Sequence, residues 1–186
     1  MQPAIVFRAA ASRGYAVATW VVAAAVLAAF AANGGAAEVL RYGALPLLLA
    51  VLGWAGFWRP VVRVERDGVQ VVNVISTTWL PWAAITGART RWGLELTTHG
   101  RPVSAWALPA RSALSRWTTG RRESPVPPPL RTVEVDVPGG SDPLVAARVI
   151  EEHLRPGSAR PEKRLEIVPA GLLLATAGLA LVSLLL

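Results

Sequence analysis

Hydrophobic and polar positions divide this chain into two kinds of stretch. Three runs carry no charge: Gly14 to Ala37, Tyr42 to Trp58, and Ile167 to Leu186. A membrane-spanning helix needs roughly 17–25 apolar residues, so the first and third runs qualify comfortably and the second sits at the short limit. A buried core helix is the soluble alternative for the second. The connector "NGGAAEVLR" before it is rich in Gly and Ala and suits a tight transmembrane hairpin. A cleaved signal peptide competes for the first run, because Arg8 and Arg13 resemble a charged leader and "AFA" at 29–31 a cleavage site. That run is long for a leader, and a second apolar run follows at once.

Between the second and third runs the pattern changes to alternation. In "VVRVER" (61–66), Val62 and Val64 alternate with Arg63 and Glu65, the period of a half-buried strand. Asp67-Gly68 then precedes "VQVVNV", and Asp-Gly between strands predicts a type I′ hairpin with both residues at positive φ. "GLELTT" puts Leu94 and Leu96 on one face, and "HG" at 99–100 turns the chain into "RPVSAWAL". "TVEVDV" (132–137) alternates cleanly. "SDPLVAARVIEEHL" switches to helical spacing, with Asp142 as N-cap and Pro143 at the first helical position. Ala146, Ala147, Ile150 and Leu154 form its apolar face.

The stretch "WLPWAAI" (79–85) falls where a strand ends. Pro81 cannot donate to a ladder and belongs at a strand end or edge. Trp82 and Ile85 are three apart, so one helical turn points both into a core with Leu94 and Leu96. These four residues are the expected structural core.

Charge adds an orientation. The chain has net charge +7, and 18 of its 19 basic residues are Arg. Arg8, Arg13, Arg59, Arg63, Arg66, Arg155, Arg160, Lys163 and Arg164 flank the apolar runs on one side, against Arg41 alone on the other. Basic residues favour the cytoplasmic side, which places the N-terminus and the middle of the chain in the cytoplasm. The expected organisation is a transmembrane hairpin at 14–58, a cytoplasmic domain at 60–158, and a C-terminal transmembrane helix at 166–186. Residues 109–131 are an expected basic, Pro-rich loop within the domain.

The middle of the chain resembles the bacterial PH-like domain of low-molecular-weight protein antigen 6 and related actinobacterial membrane proteins. The matching pieces are Val64–Asn73, Pro81–Ile85, Trp92–Leu96 and Arg101–Leu108. The resemblance covers residues 15–108 well and the last strand and helix more loosely. It implies a membrane protein with an α+β cytoplasmic domain: a PH-like β-barrel or sandwich of about seven antiparallel strands capped by a C-terminal helix, here with three transmembrane helices. Its motifs speak for fold and little for activity, because such scaffolds carry many functions. The lysine-rich first hairpin of phosphoinositide-binding PH domains is absent, since this turn reads "RDGV".

Candidate chemistry is sparse. The basic loop offers Arg111, Arg116, Trp117, Arg121 and Arg122 as contacts to an anionic membrane surface, worth about 1 kcal/mol per basic residue near it. A solvated loop is the plainer reading. There is no cysteine, and His99 and His153 lack metal-ligand partners at usable spacing. No phosphate-binding or hydrolase motif occurs. Glu134 and Asp136 share a strand face, which exposed acids commonly do. No enzyme activity and no cofactor are expected, and no nucleic-acid motif accompanies the basic excess. Gly171, Ala175 and Gly178 fall on one face of the last apolar run, where small residues let helices approach. The expected function is non-enzymatic: binding a partner protein or lipid at the cytoplasmic membrane face. Anionic inner-leaflet lipids, an unidentified protein and a second copy are the candidate partners. The alternative is a structural subunit of an envelope complex, assembled through its transmembrane helices.

Overall fold

A computed structural model describes residues 4–109, 135–136 and 143–185. The chain forms two compact units, one of residues 1–10 with 60–164, the other of 11–59 with 165–186.

The first unit is a β-domain. Its larger sheet holds six strands in the order β8-β1-β2-β3-β4-β9, and its smaller sheet runs β5-β6-β7. The strands are β1 (Ala4–Phe7), β2 (Val61–Glu65), β3 (Gly68–Val72), β4 (Ser76–Pro81), β5 (Ile85–Arg89), β6 (Gly93–Thr98), β7 (Val103–Pro109), β8 (Val135–Asp136) and β9 (Glu162–Leu165). β1 with β2, β2 with β3, β3 with β4, β5 with β6 and β6 with β7 pair antiparallel, and β1 with β8 parallel. One helix, Pro143–Glu151, packs against β5 and β6. Antiparallel strands in two sheets with a helix after them form a PH-like domain. Asp142, the expected N-cap, and residues 110–131 of the expected loop lie outside the described residues, whereas Pro109 still belongs to β7.

Two strands were not legible as strands. β1 lies ahead of the first apolar run, outside the expected domain bounds of 60–158. It pairs with β2 in the register Phe7↔Val62 and Ala4↔Glu65, and Ile5 and Phe7 enter the main core. The hairpin between β1 and β2 therefore has the entire helical excursion 8–60 as its loop. β9 is an exposed edge strand beside β4 with no buried residue. The first tight hairpin also differs by one residue. Glu65 pairs with Gly68, so Arg66-Asp67 make the turn and Gly68 opens β3. Positive φ is not the reason for this glycine. A Cβ there would collide with the Leu80 carbonyl oxygen, so the close approach of β4 excludes a side chain.

The second unit consists of helices. α1 (Ala10–Tyr42) is broken at Gly35, whose φ of 62° and ψ of −151° fold the chain back. Positive φ is open to glycine without steric cost, which explains the residue at this point. The expected irregular connector is thus helical on both sides of a single break. Helical hydrogen bonds from Gly43 to Val39 and from Leu47 to Gly43 carry the returning arm into α2 (Ala44–Gly53). Pro46, lacking an N–H, interrupts the ladder between α1 and α2. A π turn, Trp54–Trp58, ends this arm. Tyr15 meets Phe57, Trp20 meets Trp58, and Phe30 meets Tyr42, so the two arms are antiparallel. The domain helix is α3, and α4 (Ile167–Leu185) packs on α2. Arg59 pairs with Glu166 at one end, and the Ser183 hydroxyl donates to the Arg41 carbonyl at the other.

Of the three apolar helices expected to span, two have the length for it. Two helices, Ala11–Tyr42 and Ile167–Leu185, are long and apolar enough to cross a membrane. Ala44–Trp58 is a shorter apolar helix, about 22 Å at 1.5 Å per residue. A bilayer core is about 30 Å thick.

Candidate interaction surface

Trp82, Ile85, Leu94 and Leu96 lie in one buried cluster with Phe7, Leu80, Leu108 and Ile150. Trp82–Ala84 form a single 3₁₀ turn after Pro81. The Trp82 indole N–H donates to the Arg66 carbonyl at 2.8 Å, and its ring stacks on His153, 5.4 Å between centroids. Pro81 ends the strand, the turn swings the indole inward, and the buried N–H finds a carbonyl, as a buried tryptophan requires. This cluster holds the scaffold and offers no cavity chemistry of its own.

The outward face of the smaller sheet is different. On β7, Ala105 and Ala107 point inward, whereas Ser104 and Trp106 point outward, and Trp106 is 60% exposed. Asn73, just past β3, binds the free edge of this strand. Its side-chain carbonyl accepts the Trp106 N–H at 2.8 Å, and its amide donates to the Ser104 carbonyl at 2.9 Å. One side chain thus satisfies two groups of an edge strand that would otherwise seek a partner. The Ala9 N–H donates to the Ala107 carbonyl at 3.1 Å farther along the same edge. Ile75 is exposed in the β3–β4 turn. At the β5–β6 turn the Arg91 guanidinium sits over the exposed Trp92 ring, 5.4 Å from its centroid. These aromatics escaped the sequence reading, although the alternation of "SAWA" puts Trp106 on the face opposite Ala105 and Ala107.

Arg111, Arg116, Trp117, Arg121 and Arg122 lie outside the described residues. Both histidines have structural partners. The His99 ring Nε2–H donates to the Gly157 carbonyl, and the His153 Nδ1–H to the Val149 carbonyl, each at 2.8 Å. Among the described residues no cluster of His, Asp and Glu could hold a metal ion. At the helical unit's end, burial lowers the Arg59 guanidinium from its ordinary range, and Glu166 opposes that shift.

The helical unit buries small and polar side chains. On α4 the buried residues are Pro169, Thr176, Ala180 and Ser183, while Leu174, Leu179, Leu181 and Leu184 are exposed. On α1 Ala16 and Ala23 are buried, while Val17, Val21 and Val22 are exposed. Gly171, Ala175 and Gly178 are not the packing face of α4. All three are exposed, and a Cβ at either glycine would meet no neighbouring atom. Thr19, Asn33 and Thr176 donate to carbonyls one turn back, and the Trp20 indole N–H donates to the Ala50 carbonyl across the hairpin. Arg13 over Trp58, with Tyr15, Trp20 and Phe57 nearby, makes an aromatic and basic collar at one end.

Comparison with protein families matches residues 59–126 to a bacterial PH domain. Neither the curated proteins nor the solved structures contain a match. The family match begins at β2, so it leaves out β1, the helical excursion and everything from 127 onward. PH domains are generally binding modules and not catalysts, and nothing in the comparisons points to an enzyme family.

Proposed function

We propose that this protein is an integral membrane protein whose PH-like domain binds a partner protein or lipid at the cytoplasmic face, without catalysis. The observation that carries the membrane part is the reversal of burial in the helical unit. Large aliphatic side chains cover its outside, and alanine, threonine and serine fill its inside. Water would penalise such a surface by about 25 cal/mol for each Å² of apolar area, whereas a bilayer accepts it and leaves close packing of small residues to hold the helices. The Thr19, Asn33 and Thr176 side chains bond carbonyls of their own helices, as a hydrocarbon solvent demands. Arg13 to Asn33 spans about 30 Å of helix at 1.5 Å per residue, which matches the hydrocarbon thickness.

The short arm ending at Trp58 crosses with the other two, helped by its continuation through Gly43 toward Glu38 and by the aromatic and arginine collar. The N-terminus and the domain share the cytoplasmic side, and α4 carries the C-terminus across. Strand β1 supports a shared side for the first two, because it pairs with β2. Anionic inner-leaflet lipid remains the proposed partner of Arg111, Arg116, Trp117, Arg121 and Arg122, with relatives of the antigen 6 type as the guiding resemblance. A reporter active only outside the cell, fused after Leu186, is expected to be active, and the same reporter within 115–125 silent. The opposite pattern overturns the orientation, and silence of both fusions overturns membrane crossing.

The second reading, a structural subunit assembled through its helices, draws on the open face of Gly171, Ala175 and Gly178. Photo-crosslinkers at Trp92 and at Gly171 in intact membranes separate the two. Protein adducts from position 171 alone favour the structural subunit.

A further inference from the structure

We propose that Trp106 and Ile75 form an interfacial anchor that seats one end of the PH-like domain in the lipid headgroup layer. The inference rests on the membrane reading above and names the surface that reading leaves open.

The strands define the two ends of the domain. β1 leaves the sheet at Phe7 and β2 enters it at Val61, in adjacent register. Only Arg8 and Ala9 separate β1 from α1, and only Arg59 and Pro60 separate Trp58 from β2. From Phe7 to the first residue of α1 is three peptide steps, at most about 11 Å. The headgroup region on one side of a bilayer is roughly 5–8 Å thick, the difference between a total of 40–45 Å and a 30 Å core, halved. With about 5 Å more of helix to Arg13, the exit end of the domain is tethered within roughly 16 Å of the hydrocarbon edge if the helices span, close enough to reach the headgroups.

Trp106 and Ile75 lie at that same end. Val72 pairs with Val61, so β3 finishes at the exit end, and the β3–β4 turn carrying Ile75 is there too. β7 crosses this end: Asn73 fixes Ser104 and Trp106, and Ala9 bonds to Ala107. Trp106 is 60% and Ile75 43% exposed. The domain segments that meet here, 7–9, 60–62, 72–76 and 103–109, contain no Asp or Glu and include Arg8, and the neighbouring Arg59 is paired with Glu166. Glu95 pairs with Ser104 one strand farther in. The opposite end carries Glu65, Arg66 and Asp67 around the β2–β3 turn. An exposed amphipathic indole and an aliphatic side chain at this end suit a lipid interface.

The chain has no cysteine, so single cysteines report without background. The full-length protein is reconstituted in vesicles of mixed phosphatidylcholine and phosphatidylglycerol. Ser104→Cys, Ile75→Cys, Asp67→Cys and Leu174→Cys are each spin-labelled, and collision with oxygen is compared with collision with a water-soluble nickel chelate. Labels at 75 and 104 are expected to lose chelate accessibility relative to the label at 67, and the label at 174 to lose it most. In a Trp106→Ser background the label at 104 should regain it. Labels at 75 and 104 as accessible as the one at 67, with 174 protected, overturn the anchor and leave the membrane reading standing. An unchanged label at 104 without Trp106 removes the anchoring role of that residue. A chelate-accessible label at 174 removes the membrane reading itself, and the anchor with it.

Discussion

The domain and the helical unit solve burial in opposite ways. In the domain Phe7, Leu80, Leu94 and Leu96 are fully enclosed, and Arg66, Asp67 and Glu151 face outward. In the helical unit Ala16, Ala180 and Ser183 are enclosed, and Leu174, Leu181 and Leu184 face outward. Hydrophobicity alone does not distinguish the two regions at the level of a single leucine. On the proposed membrane reading, what differs is the solvent each surface was built for. In water, burying the large side chain provides the driving force. In lipid that force vanishes between helices, and contact depends on how closely backbones can approach. Substitutions that exchange size for position should therefore have opposite consequences in the two units.

The largest effect is expected at Trp82. Truncation of a buried tryptophan costs about 3–5 kcal/mol through lost transfer energy and the cavity left behind. Trp82→Ala also removes the donor to the Arg66 carbonyl and the ring stacked on His153. A small domain is stable by only about 5–15 kcal/mol. In the full-length protein in detergent, hydrogen exchange across 61–109 should rise sharply in this variant, while exchange across 167–185 stays slow. Equal loosening of both segments would show that the two units do not fold separately.

The next effect runs the other way in size. Ala16 is fully buried on the packing face of α1, and Val17 beside it is exposed. Enlarging a packed position typically costs about 1–3 kcal/mol through displaced neighbours. Ala16→Leu should destabilise the helical unit by that amount, read as a lower midpoint of helix unfolding in mixed micelles. Val17→Leu should leave the midpoint nearly unchanged. Tolerance of leucine at 16 would mean that small size there has no packing role.

The same contrast explains what the sequence revealed and what it hid. β2 alternates from Val62 to Glu65, with Val62 and Val64 in the core and Arg63 and Glu65 outward, and that signal is strong in a few residues. The turn at Trp82 was readable from Pro81 and the three-residue spacing to Ile85. β1 was not readable. "AIVF" is four residues of unbroken apolar character, abutting a longer apolar run, and its partner lies more than fifty positions away. β9 is "EKRL", exposed throughout, so no burial pattern marks it. The Asp67-Gly68 turn was placed one residue late because the glycine answers to the Leu80 carbonyl across the sheet, a tertiary constraint that dipeptide statistics do not contain. On α4 the glycine stripe looked like a packing face, yet the face that packs is Pro169, Thr176, Ala180 and Ser183. Two small-residue faces on one helix are indistinguishable until a neighbour is present.

The smallest expected effect gives the sharpest comparison. Leu94 and Leu174 are the same residue in the two units, 1% and 76% exposed. Leu→Ala in an enclosed core costs about 2–5 kcal/mol, so Leu94→Ala should lower domain stability by that amount. Leu174→Ala leaves no cavity, since the side chain contacts mainly what surrounds the protein. Exposed substitutions of this kind usually fall within about 0.5 kcal/mol of neutral, and in a bilayer the loss is limited further because lipid replaces the missing contacts. Parallel unfolding of the two variants in lipid-detergent micelles should therefore separate them by several-fold in free energy. A cost at Leu174 equal to that at Leu94 would mean that protein covers this face, either from another subunit or from a different packing of α4, and the reversal of burial would then no longer argue for a bilayer.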